Sequence, residues 1–317
     1  MIHVFNHQAM ATLFQVRLAG EEAAYAAQAA RAAFAEADRL ENVLSRFRES
    51  SDISAAAGLQ PGETLRLSEA AFACLTLARE MELATEGAFS VNVPARPGHP
   101  EVVGEVARAR PLGGRPAGLE TRETADLEVC GTNDPPTASG CAAARQTQPG
   151  PPRWSLPAPF TLRCEAGRLE FDLGAIGKGF ALDRMARELA EWQCPAYLLI
   201  AGGSSILAGD PPPDSPGWSV GLGEDHSEPR QWLQHGSLSG SGTAVKGRHI
   251  YDPRTGQAAQ QRVRAWATAP EAAVSDALST AFMVLTEAEI ARVLTGRKDW
   301  RAFLQEDGKW RVLGGEG

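Results

Sequence analysis

Cysteine is scarce, with five among 317 residues, at positions 74, 130, 141, 164 and 194. An odd number with no C-x-x-C spacing gives neither a zinc site nor a disulfide framework, so the thiols read as reduced and mostly buried or in loops. Long apolar runs are missing too, and no stretch can span a bilayer, so no membrane insertion is expected. The N-terminus, Met1-Ile2-His3-Val4-Phe5-Asn6-His7-Gln8, has no positive segment followed by an apolar run and no lipid-attachment cysteine. A cytoplasmic location is therefore the expectation. Positive charge is in deficit: the net charge is −8 and no basic run occurs. That balance argues against nucleic acid or an anionic membrane as the main partner. No internal repeat is evident.

The common catalytic and nucleotide motifs are absent as well. A Walker loop needs G-x-x-x-x-G-K-[ST], but two residues separate Gly174 from Gly177 and Gly179 follows the lysine. A dinucleotide fingerprint beginning at Gly177 would need glycine or alanine where Leu182 sits. Gly236-Ser237-Leu238-Ser239-Gly240 has leucine where a nucleophile elbow needs serine, which sets serine hydrolase chemistry aside. Nothing suggests a nicotinamide site.

What is present is an ordinary globular composition, 43% hydrophobic and 22% charged, with one segment that stands out. Phe171-Asp172-Leu173-Gly174-Ala175-Ile176-Gly177-Lys178-Gly179-Phe180 runs from a strand-like lead-in through an acid and a small-residue turn into a helix. Free N–H groups at the helix start, with Lys178 beside them, favour a phosphate-bearing ligand. The same segment also reads as an ordinary strand-turn-helix corner. Later, His249-Ile250-Tyr251-Asp252-Pro253-Arg254-Thr255-Gly256 carries HI-x-DP-x-TG, and Asp276 to Thr280 is D-x-x-x-T. On a helix those two oxygen-bearing side chains share a face. Spacing alone reads them as an exposed aspartate with a threonine one turn later.

Taken in this order, the three segments make the chain similar to the ApbE family of FAD:protein FMN transferases. The resemblance begins at Met10-Ala11-Thr12, passes Glu41 and Leu44-Ser45-Arg46-Phe47, and reaches the C-terminal strands; only about 96–160 falls outside it. It implies an α+β, T-fold-related architecture of antiparallel sheets packed by helices. One catalytic unit would span 1–317, with 96–160 as a divergent, flexible, partly disordered insertion that carries at most short strands.

The implied reaction is Mg²⁺-dependent: a Ser or Thr hydroxyl of a client protein attacks the FMN phosphorus of FAD, and AMP leaves. Ala175, through its carbonyl, with Asp276 and Thr280, would hold Mg²⁺. Met10, Phe47, Ala88, Phe89, Ser90, Asp172, Lys178 and Ile250 would bind FAD, with Phe47 stacking on the flavin. Lys178 would also neutralise phosphate, and His249 would accept or relay the hydroxyl proton. Departures from the family pattern fall at Ala57, where an amide is usual, at Ser90 and Asn92, and at Ser204. They leave two alternatives open: an FAD pyrophosphatase that uses water and gives FMN and AMP, and a flavin-binding protein that transfers nothing.

Hydrophobic periodicity predicts a strand over 11–18, helices over 21–47, 69–85, 178–192 and 271–285, and a strand over 197–201. Residues 300–304 and 309–312 flank Asp307-Gly308, a hairpin signal. Asp252, Arg254 and Thr255 shape a turn.

Overall fold

A computed structural model describes residues 1–92, 153–223, 229–242, 250–260, 262–306 and 308–315. These belong to one unit, formed by Met1–Ala95 with Gly150–Gly317. His249, and the expected insertion up to residue 152, lie outside the described residues.

Two strands open the chain, β1 (Ile2–Ala9) and β2 (Thr12–Ala19), and α1 (Ala23–Leu44), α2 (Asp52–Ala56), β3 (Thr64–Arg66) and α3 (Glu69–Ala84) follow. After Arg153 come β4 (Arg153–Ala158), β5 (Thr161–Ala166), α4 (Gly177–Glu191), β6 (Tyr197–Ala201), β7 (Ser205–Ala208), β8 (Trp218–Gly221), β9 (Arg230–Leu233) and β10 (Gly236–Gly242). The chain closes with β11 (Arg264–Ala269), α5 (Ala272–Phe282), α6 (Glu287–Leu294), β12 (Arg301–Glu306) and β13 (Lys309–Gly314).

Eight strands form one sheet in the order β1-β2-β6-β7-β10-β11-β12-β13, and every neighbouring pair is antiparallel. Alternation along β2 divides its side chains between the two faces. Phe14, Val16 and Leu18 join the main core with the helices, and Ala19 joins a second cluster with Leu198, Ile206, Leu238, Trp266 and Phe303. Trp218, Val220 and Leu233 of the β8–β9 hairpin cover that second face.

The helices are rich in small residues where they must approach closely. Ala26, Ala29, Ala30, Ala33 and Ala37 of α1 are all buried, and α1 packs on α4. Alanine gives a strong helix former without holding the partner helix at a distance. Ser68 caps α3 by accepting the Ala71 N–H at 3.3 Å. Helix α5 is the central one: apart from Thr280, all of its residues are buried, because it is wedged between the sheet and α4.

Two strand expectations change. The N-terminal residues form β1, which the polar residues His3, Asn6, His7 and Gln8 obscure in the sequence. The far end of the range expected as an insertion is β4, paired with β5, and Trp154 within it is buried against Phe171.

Candidate functional site

Asp172 lies where the 169–171 lead-in ends. Its N–H donates to the Val91 carbonyl at 2.7 Å, and Asn92 pairs with Phe171, so the 88–92 segment runs beside the turn. One Asp172 oxygen accepts the Gly174 N–H at 2.9 Å, and the other lies 3.1 Å from an Arg46 guanidinium nitrogen. That guanidinium stands 4.8 Å from the centre of the Phe47 ring, and Phe47 is 70% exposed. Arg46 therefore joins the outward-facing aromatic to the acid of the turn. Ser54 steadies this loop by donating to the Arg46 carbonyl at 3.0 Å. Sequence reading passed over Arg46, although it stands beside Phe47 in the family-like segment.

The turn leads into α4, and Gly179 is needed for a close approach: a Cβ there would sit 2.1 Å from the Ala272 carbonyl oxygen. Helices α4 and α5 thus touch backbone to backbone. At the same crossing Asp183 of α4 accepts the Ala272 and Ala273 N–H groups at 2.7 and 2.9 Å, capping α5 from outside its own chain segment. Burial pushes the Asp183 carboxyl up to about 7, against the two N–H donors that pull it down.

Asp276 sits one turn along α5 and is only 3% exposed, which corrects the reading of an exposed aspartate from spacing. One oxygen accepts the Gly179 N–H at 2.8 Å and lies 3.5 Å from the Lys178 ammonium; the other accepts the Ser205 hydroxyl at 2.6 Å. Lys178 also donates to the Gly174 carbonyl at 3.3 Å. The 174–178 turn and Asp276 therefore meet at one point, with Ala175 half-buried in the turn. Thr280 follows on the same helix, its hydroxyl donating to the Asp276 carbonyl at 3.3 Å and lying 3.1 Å from Ser241.

A seam of hydroxyls fixes α5 against β10. Ser237, Ser239 and Ser241 share one strand face, and Ser275 and Ser279 share one helix face. Ser237 and Ser239 reach Ser275 at 2.9 and 2.8 Å, and Ser241 reaches Ser279 at 3.0 Å. The alternation S-L-S-G-S was the available signal, since three serines two apart predict a polar strand face.

The remaining expected residues lie around this centre in two groups. Met10 and Ala11 form the two-residue loop between β1 and β2, both at positive φ (49° and 56°), which is the backbone of a tight hairpin turn. The hairpin adjoins the turn after β6: Gly202 donates to Leu13 at 2.9 Å, and a Cβ on it would lie 2.6 Å from the Thr12 hydroxyl. That turn leads through Ser204 to Ser205 and Asp276. Ala88 and Phe89 are 2% and 1% exposed, so their side chains belong to the core and only backbone or Ser90 can face a ligand.

Ile250 is buried, in the turn whose Asp252 pairs with Arg254. Arg254 also reaches Glu289 at 2.9 Å, and its stem lies along Gly87, which joins this turn to the 88–92 segment. Hydrogen bonds from Thr286, assisted by Arg254, hold the Glu289 carboxyl down at about 2.

Chemically, the centre offers one buried carboxylate, a hydroxyl, turn carbonyls and one ammonium. All its donors toward a metal are hard oxygens. Among the described residues there is no group of three or more His, Cys, Asp or Glu side chains that could hold a metal ion. Also among the described residues, no helix is long and apolar enough to cross a membrane.

The chain belongs to the ApbE family, whose profile matches residues 10–304. Among solved structures it is similar to a mutant of the flavin transferase ApbE from Vibrio cholerae, at 16% identity and a TM-score of 0.71, covering 100% of this chain and 98% of that one. The apo form of the Pseudomonas stutzeri flavinyl transferase ApbE gives 17% identity and a TM-score of 0.69, with 98% and 94% covered. The ApbE protein of Thermotoga maritima gives the same identity and TM-score, with 100% of this chain and 97% of that one covered. At these identities the likeness concerns the fold. No curated protein matches the chain by sequence.

Proposed function

We propose that this protein transfers the FMN part of FAD to a Ser or Thr hydroxyl of a client protein and releases AMP. The observation that carries this reading is the meeting of Asp276, Lys178 and the 172–178 turn at one point, with Phe47 exposed beside it. A magnesium ion fits the donor set of Asp276 carboxylate, Thr280 hydroxyl and Ala175 carbonyl, all hard oxygens. When bound there it supplies charge neutralisation to the pyrophosphate.

The chain's own groups do the rest. Lys178, tethered at Gly174 and Asp276, places an ammonium beside the phosphates. Asp172 and Arg46 position Phe47, whose exposed ring offers a stacking surface to the isoalloxazine. The client hydroxyl oxygen forms a bond to the FMN phosphorus, the bond to the AMP phosphate breaks with its electron pair leaving on AMP, and His249 takes the hydroxyl proton.

Incubation with FAD and Mg²⁺, with and without candidate acceptors, tests this directly. AMP together with a fluorescent acceptor band on a denaturing gel is the expected result. AMP and free FMN without an acceptor would assign the pyrophosphatase reaction, and no AMP under either condition would leave only flavin binding. Asp276→Asn, which keeps the side-chain volume, should lower AMP formation about a hundredfold or more. An unchanged rate would remove Asp276 from the mechanism.

A further inference from the structure

Ser205 is wholly buried on β7, a strand whose four residues are all buried, on the face that turns Leu207 into the helix-covered core. A hydroxyl in such a place costs free energy unless it is hydrogen-bonded. Its partner is Asp276, at 2.6 Å, a length typical of a hydroxyl donating to a charged carboxylate. Asp276 is therefore gripped from two sides: the Gly179 N–H of α4 holds one oxygen, and the Ser205 hydroxyl holds the other. The two donors come from different elements, so together they fix the plane of the carboxylate as well as its position.

From this geometry we infer that Ser205 is a positioning residue: its hydroxyl locks the Asp276 carboxylate so that the oxygen near Lys178 stays aimed at the 174–178 turn, where a hard divalent cation is to be held. The inference rests on the metal role proposed for Asp276. Ser205 itself touches neither cation nor flavin. Outer groups that orient a ligand in this way commonly change metal affinity by about 10- to 100-fold when removed.

The test is binding of Mn²⁺, as a spectroscopic substitute for Mg²⁺, followed by the electron paramagnetic resonance signal of the free ion, with and without FAD. Ser205→Ala should weaken Mn²⁺ binding about tenfold or more, and Ser205→Thr, which keeps the hydroxyl, should restore most of it. Ser237→Ala removes a buried hydroxyl of the neighbouring seam that does not touch Asp276, and it should leave the affinity at the parent value. Equal Mn²⁺ affinity in the parent and Ser205→Ala, or equal losses in Ser205→Ala and Ser237→Ala, would overturn the positioning role and leave the proposed metal site standing. A parent protein that holds no Mn²⁺ with or without FAD would overturn both.

Discussion

Asp183 shows how one residue can tie two helices together and make their union depend on pH. Its carboxyl is raised from an ordinary 3.8 to about 7, so the folded protein binds the proton more tightly than the unfolded chain does. The resulting stabilisation is complete below about pH 4 and is lost as pH climbs through about 7. Over that window stability should fall by up to about 1.4 kcal/mol per pH unit relative to Asp183→Asn, whose side chain cannot titrate. Urea midpoints of both proteins from pH 4 to 8 would check it; parallel curves would show that Asp183 does not titrate in this range. At the same scale, D-x-x-x-T spacing correctly put Asp276 and Thr280 on one helix face. It could not show that Asp276 is buried, because that burial comes from β7 and α4, elements distant in the sequence. Ser205 and Arg46 were illegible for the same reason: a lone serine or arginine carries no signal until its carboxylate partner is in place.

Elements with a strong period were the readable ones. The helix expected over 178–192 is α4 within a residue at each end, and the strand over 197–201 is β6. Residues 271–285 shrink to α5, and 21–47 to α1, whose end at Leu44 leaves Arg46 and Phe47 free of the helix and able to face outward. The turn at Met10-Ala11 gave no hint of itself, since neither residue is the Asn or Gly that usually adopts positive φ. The contact of α4 with α5 depends on the missing side chain at Gly179. Gly179→Ala would drive a methyl into the Ala272 backbone, and it should cost about 1–3 kcal/mol as the helices separate. A chemical denaturation midpoint unchanged by this substitution would mean that the helices have room to spare.

For the molecule as a whole, one antiparallel sheet carries on a single face the helices that bring the 172–178 turn, Asp276 and the hydroxyl seam together. The family-like motifs announced that architecture, yet order within the sheet was beyond them, because β2 beside β6 pairs residues far apart in the chain. If FAD and Mg²⁺ bind this body as proposed, they stabilise it by mass action. At about 100 times the dissociation constant the gain is about 2.7 kcal/mol, which a melting curve reads as a rise of several degrees. FAD with Mg²⁺ should raise the midpoint more than FAD alone, and equal rises would separate flavin binding from the metal.

Phe171 anchors both ends of the chain that runs between Asn92 and Arg153. Asn92 bridges to its backbone, and Trp154 meets its ring edge-on at 5.3 Å. Asn92 and Trp154 are thus fastened beside one residue, next to the turn that begins at Asp172. That turn therefore starts from a residue held through its backbone by Asn92 and through its ring by Trp154, two partners from opposite ends of the intervening sequence.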